Sequence, residues 1–195
     1  AQPGYTFIDD NYNVYYNNSA WVNNSGSSAE LRIGKYDKNG IFKWRTHFGM
    51  SYIGYPAKII QSQYSSIVTG VSENTKVLLI ELDTNGSVMQ NKSINFGLPS
   101  NDHITSLDIL ETNSGYAFVG YISQYQCLFF TTDVNFNVIT SKTYNFQFSS
   151  GNYQIHSKSN GSYLITSYGN NPNYSVIPNC SNNNMQSFFQ ILEID

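Results

Sequence analysis

Three aspartates of this chain of 195 residues recur in one setting, and a fourth stands at the head of it. They occur in Lys35-Tyr36-Asp37-Lys38-Asn39-Gly40, Glu81-Leu82-Asp83-Thr84-Asn85-Gly86, Thr131-Thr132-Asp133-Val134-Asn135-Phe136 and Glu193-Ile194-Asp195. A repeated acid invites a metal-binding or acid–base reading. Its position ahead of Asn-Gly supplies a different chemistry. Asn-Gly accepts positive φ at both centres of a type I′ hairpin, and the Asp carboxylate can accept hydrogen bonds from the turn amides. One aspartate per hairpin is therefore read as structural. Phe136 replaces the glycine in the third copy, which predicts a different turn or Asn135 in the left-handed region.

Other reactive residues form sparser patterns. Asp102-His103 is a candidate proton-transfer pair. Asp9-Asp10 with Asn11 and Asn13 offers oxygen ligands for calcium, without the glycine of an EF loop. His47, His103 and His156 occupy unrelated places in the repeat. Neither Gly-x-Ser-x-Gly nor a phosphate-cradling loop occurs. No metal site or cofactor is expected. Cys127 and Cys180 are a candidate disulfide closing a loop of about 50 residues, worth ~4 kcal/mol in the chain-entropy view; two buried thiols are the alternative.

Composition narrows the classes. Ten Lys and Arg against 13 Asp and Glu give a net charge of −3, which disfavours a nucleic-acid binder. Aromatic residues make up 15% of the chain, too many for disorder. No apolar run approaches the ~20 residues of a membrane-spanning helix. Asn and Ser number 25 each, and solubility resting on them suits an extracellular setting. Asn17, Asn23, Asn85, Asn91, Asn160, Asn173 and Asn179 head Asn-x-Ser sequons and are candidate N-glycosylation sites. The opening Ala1-Gln2-Pro3-Gly4 would suit a processed secreted protein or an excised fragment.

The elements that carry these residues are short runs rich in Tyr, Phe, Ile, Val and Thr between Gly, Asn, Asp and Ser, which predicts an all-β fold. Gly115-Tyr116-Ala117-Phe118-Val119 precedes Asp133 as Ser65-Ser66-Ile67-Val68-Thr69 precedes Asp83. Gly4-Tyr5-Thr6-Phe7-Ile8 and Ser162-Tyr163-Leu164-Ile165-Thr166 fit the same frame, each with 15 extra residues before its aspartate. Those extra segments, Asn11 to Ala29 and Gly169 to Gln186, are read as insertions projecting from one face. A competing alignment makes Phe7 to Asp10 a third strand and Val14 to Trp21 a fourth.

The frame of an apolar strand, Asp-x-x-Gly, an aromatic at Trp44, and a following Gly-Tyr strand resembles the blades of β-propeller repeat proteins. It is most similar to secreted propellers with a Leu-Asp-x-x-Gly signature, and shares the kelch-like and quinoprotein-like blade plan. The resemblance implies one domain over 1–195, built of about four antiparallel four-stranded units near 4–47, 57–95, 104–146 and 153–195. It implies first strands at 57–63, 104–111 and 153–158, and second strands at 4–8, 66–70, 115–121 and 162–167. Third strands fall at 30–36, 77–82, 126–132 and 187–194, and fourth strands at 41–47, 87–95 and 137–146. The first unit then lacks an inner strand and the last an outer one, so the array is incomplete or completed by a neighbouring chain.

On this plan Tyr15, Tyr16, Trp21, Tyr52, Tyr55 and Tyr174 gather in loops on one face, suited to sugar rings or a protein partner. The expected function is a non-enzymatic extracellular assembly module, a filament or coat subunit that self-associates or binds other extracellular proteins. A lectin-like glycan-binding module is the alternative. A glycoside-acting enzyme ranks third, because it needs paired carboxylates and the loops offer only Asp9, Asp10 and Asp102.

Overall fold

The computed structural model describes residues 4–22, 28–51, 54–99, 102–123, 126–145, 150–170 and 187–194. Every regular element among them is a β-strand, in four antiparallel sheets. The first holds β1 (Thr6–Ile8), β2 (Val14–Trp21), β3 (Ala29–Tyr36) and β4 (Phe42–Met50), side by side in chain order. In the second, the short β5 (Tyr55–Pro56) and β6 (Ile60–Gln61) both pair with β7 (Ile67–Glu73), followed by β8 (Lys76–Leu82) and β9 (Val88–Asn95). The third holds β10 (Thr105–Thr112), β11 (Gly115–Ser123), β12 (Gln126–Asp133) and β13 (Val138–Asn145). The fourth holds β14 (Ser150–Ser157), β15 (Tyr163–Asn170) and β16 (Ser187–Ile194).

Alternation along these strands makes the core. Tyr15, Leu31, Ile33 and Met50 of the first sheet meet Ile59, Ile67, Val71, Ile80 and Leu82 of the second. Val68, Val77, Leu79 and Ile94 of the second meet Leu107, Ile109, Phe118, Phe130 and Phe136 of the third. Ala117, Val119, Cys127 and Phe129 of the third meet Tyr153, Ile155, Ile165 and Ile194 of the fourth. Each such side chain stabilises by about 1.5–3 kcal/mol when fully buried. Sheets packed face to face in sequence order, with first strands adjoining one another, form an all-β propeller-like array.

The first sheet departs from expectation. Residues 6–8 are its innermost strand rather than its second, paired Phe7 to Tyr15 with β2. The segment from Asn11 therefore contains a full strand, not an insertion, and the competing alignment fails as well. The repeat is hidden because the β1–β2 turn has no glycine: Tyr12 takes its left-handed position at φ 61°.

That turn recurs in six of the described hairpins. In each of them the first residue's amide donates to the carbonyl four residues on, and its own carbonyl accepts from the amide three residues on. This holds at Asp9, Asp37, Asp83, Asp133, Ser62 and Lys158. The residue three along has positive φ in every case: Tyr12, Gly40, Gly86, Phe136, Ser65 and Gly161. This is a type I turn closed by a bulge, not the expected type I′. Phe136 adopts φ 58° itself, so neither expectation for the third copy holds. Its ring is fully buried, 5.6 Å from that of Tyr116, and its burial offsets the strain.

The turns also tie adjacent sheets together. Trp44 Nε1 donates to Thr84 O at 3.0 Å, and the equivalent Gln90 Nε2 donates to Val134 O at 2.7 Å. The seventh residue after Asp37 and after Asp83 thus reaches the next sheet's outer turn, which explains the aromatic of the frame, whereas Thr140, seventh after Asp133, bonds Thr131 within its own sheet.

Candidate functional site

The outer-turn aspartates are accounted for by their own hairpins. Asp37 Oδ1 accepts from the amides of Asn39 and Ile41, both at 2.9 Å. Asp83 and Asp133 repeat the pattern with Asn85 and Ser87, and with Asn135 and Asn137. These bonds hold the carboxyls below their ordinary range. The leading cause is Lys43 for Asp37, the Ser87 amide for Asp83 and the Asn137 side chain for Asp133.

Asp108 is of another kind. In β10, Leu107 and Ile109 point into the core shared with the second sheet, so the alternate position of Asp108 faces the fourth. Its Oδ2 accepts from the amide of Ile155 in β14 at 2.9 Å. Its Oδ1 lies 3.1 Å from Lys58 Nζ, which belongs to the second sheet's connecting segment, and also accepts from the Ile109 amide. Asp108 is only 8% exposed.

A polar belt runs on from this carboxylate across the inner strands. The Lys58 amide donates to Leu107 O at 2.9 Å, beside a parallel bridge between Ala57 and Leu107. Asn17 of β2 donates through Nδ2 to Ala57 O at 2.6 Å and to Thr69 Oγ1 at 2.7 Å. Asn17 Oδ1 in turn accepts from the Tyr5 amide at 2.8 Å. Burial, and secondarily the Asp108 charge, raise the Tyr5 hydroxyl above its ordinary value, so it remains a neutral donor. Tyr5 just before β1, Lys58 between β5 and β6, Asp108 in β10 and Ile155 in β14 thus bring one residue from each of the four units. Next to them, Ser106 opens β10 at φ 44° in a bulge between Thr105 and Leu107.

This cluster was not singled out from the sequence, although the signal was there: a charge inside Leu107-Asp108-Ile109-Leu110 of an expected inner strand.

The predicted aromatic surface is dispersed. Tyr15 is fully buried, with its hydroxyl 3.3 Å from Asp9 Oδ2; its side chain lies on the core face of β2, so it is no surface residue. Tyr16 lies on the opposite face of the same strand, Trp21 packs partly buried at the strand end, and Tyr55 is 39% exposed in β5. Tyr52 and Tyr174 lie outside the described residues. Among the sequons, Asn17 is 2% exposed with its amide bonded as above, so it is unavailable to a glycan. Asn85, Asn91 and Asn160 are exposed, whereas Asn23, Asn173 and Asn179 lie outside the described residues.

Cys127 is a free buried thiol, its pKa pushed up to about 12 by burial, so the expected pairing is absent; Cys180 lies outside the described residues. The calcium reading fails because the Asp9 carboxylate accepts from Asn11 N, Asn13 N, Asn13 Nδ2 and Tyr15 OH, all of them donors. Among the described residues no three His, Cys, Asp or Glu side chains gather to hold a metal, and no helix is long and apolar enough to cross a membrane.

No family model and no curated protein matches this sequence. Solved structures do match in fold. The catalytic domain of the Coprinopsis cinerea GH62 α-L-arabinofuranosidase superposes with a TM-score of 0.55 at 9% identity, over 98% of this chain and 63% of that one. A GH43 glycoside hydrolase engineered for endo-xylanase and exo-arabinofuranosidase activity gives 0.56 at 8% identity, over 85% and 34%. A protein of unknown function from Dyadobacter fermentans gives 0.57 at 10% identity, over 85% and 56%. This chain thus spans about a third to under two-thirds of the length of these structures. The likeness establishes the propeller fold. It also corrects the expectation of a non-enzymatic filament or coat subunit, since the similar propellers of stated activity are glycoside hydrolases.

Proposed function

We propose that this chain is a glycan-acting propeller segment working at the inner-strand belt, with Asp108 as its acidic group and Lys58 and Tyr5 as hydrogen-bonding partners of sugar hydroxyls. The observation that carries this reading is the buried carboxylate held from the second and fourth sheets at once. Residues of all four units meet there, and a carboxylate, an ammonium and a tyrosine hydroxyl suit a ligand rich in hydroxyls. The similar propellers act on arabinofuranosides, xylan and, in the GH43 β-1,3-galactosidase, galactosides, so neutral pentose- and galactose-containing polysaccharides are the substrate class proposed. Hydrolysis by paired carboxylates needs a second acid within ~10 Å; Asp108 supplies one member. An extracellular setting fits this substrate, with Asn85, Asn91 and Asn160 as the sequons open to glycosylation.

One observation favours binding without turnover as a second reading: both Asp108 oxygens already accept hydrogen bonds. Incubation with arabinoxylan and arabinogalactan, with release of reducing sugars and retention on the same polymers both measured, separates the two. Release supports hydrolysis, and retention alone supports binding. Neither release nor retention by the parent protein overturns both.

A further inference from the structure

Each interior sheet turns an apolar face to its neighbour, but the outer face of the first sheet is built differently. Alternation sends Tyr15, Leu31 and Ile33 inward and Tyr16, Arg32, Gly34 and Tyr36 outward. The register then sets Arg32 opposite His47 and Gly34 opposite Arg45. The Tyr16 ring lies directly over Gly34, where a Cβ would sit 2.6 Å from it. Tyr16 and Tyr36 have ring centroids 5.8 Å apart, and Tyr36 and Phe42 are 5.7 Å apart. The Arg45 guanidinium stands 5.5 Å from the Phe42 ring centre, and its Nε donates to the Tyr16 hydroxyl at 2.9 Å. Phe42 is 47% exposed, and Arg45 and His47 are exposed. Glu30 pairs with Arg32 and, at 3.1 Å, with His47.

The segment that carries β3 and β4 is basic as well, although its Lys35 lies over the inward-facing Tyr15 ring and its Lys43 pairs with Asp37. Residues 30–47 hold five of the ten Lys and Arg but two of the 13 acids, leaving this segment at +3 and the remainder of the chain at −6.

We propose that this outer face binds an anionic polysaccharide, a chain of sugar rings bearing carboxylate or sulfate groups. The rings of Tyr16, Tyr36 and Phe42 offer flat apolar area to sugar faces. Arg45 and Arg32 supply planar forks that match carboxylate and sulfate oxygens. Strands lie about 4.8 Å apart, so the platform from β2 to β4 spans ~10 Å, room for about two sugar units. Another sheet or a second copy is the poorer occupant. The three sheet–sheet contacts bury Leu, Ile, Val and Phe, whereas covering this face would strip water from Arg32, Arg45 and His47. The choice of a sugar polymer rests on the carbohydrate reading above, but the residues are separate from the belt around Asp108.

Affinity electrophoresis in gels containing polygalacturonate, dextran sulfate or neutral arabinoxylan tests this surface. Retardation by polygalacturonate identifies carboxylate, and retardation by dextran sulfate identifies sulfate, as the group recognised. Arg45→Gln and Tyr36→Ala should each weaken the retardation at least fivefold, with circular dichroism unchanged. Lys142→Gln, which removes the same charge from β13, should leave it as in the parent protein. Equal loss in Arg45→Gln and Lys142→Gln, absence of retardation by both polyanions, or a concentration-dependent dimer abolished by Arg45→Gln would overturn the proposal. Failure of the belt reading shows separately, as a lack of release from and retention on neutral polymers, and leaves polyanion retardation standing.

Discussion

The molecule uses aspartate in two regions and in two ways. At the outer turns Asp37, Asp83 and Asp133 close their own hairpins through amides two and four residues along. At the inner strands Asp108 accepts an amide from the fourth sheet and pairs with a lysine from the second. The first kind is local, repeated and half-buried; the second is long-range, single and buried. Periodic acids here hold their own turns, and the acid that breaks the period ties the second, third and fourth sheets together.

Substitutions at the turns and at the belt should separate these roles, and the largest effect is expected at a turn. Phe136→Ala removes a fully buried ring and should cost about 3–4 kcal/mol, read as a lower urea midpoint. Gly40→Ala, at φ 77° with open space around its Cβ, should cost only about 1 kcal/mol. Equal losses would show that the Phe136 turn is not held by its ring. Gly86→Ala is intermediate, at about 2–3 kcal/mol: it combines φ 86° with a Cβ 2.6 Å from the Trp44 ring. A cost no greater than that of Gly40→Ala would remove Trp44 as the tie between sheets.

Asp108→Ala strands the buried Ile155 amide and removes the partner of the exposed Lys58 ammonium, and should cost about 2 kcal/mol in the same unfolding measurement. A loss within error of zero would mean that the inner carboxylate holds nothing.

The smallest effect is a pH dependence. The Asp83 carboxyl is held below its ordinary range by the Ser87 amide first and the Asn85 amide next. Its stabilisation is therefore complete above the unfolded value near 4 and is lost as pH falls through the lower folded value. Asp83→Asn keeps an acceptor oxygen but not the charge, so its melting temperature should lie slightly below the parent's at pH 7 and fall less steeply from pH 5 to pH 3, the two converging in acid. An unchanged acid slope would contradict the role given to the turn carboxylates.

Much of this architecture was legible in the residues. The third and fourth strands of the first three sheets lie where the Asp-x-Asn frame put them, because alternation and turn chemistry repeat together. The first sheet was misread because β1 has three residues and its turn uses Tyr12 in place of glycine. Turn type was misassigned because Asn-Gly serves both type I′ and a type I turn with a bulge; the hydrogen bond from Gly40 N to Asp37 O decides it. The belt was missed for a different reason. Asn17, Lys58 and Asp108 are 41 and 50 residues apart, and no local pattern joins them. The aromatic surface went astray because adjacent residues of one strand, Tyr15 and Tyr16, face opposite ways.

The direct test of the belt is to compare Asp108→Asn with Asp83→Asn for sugar release from, and retention on, arabinoxylan. Asp108→Asn should lose at least tenfold while Asp83→Asn keeps the parent level. Equal behaviour of the two variants, or no release or retention by the parent protein, would contradict the assignment of the inner carboxylate to glycan chemistry.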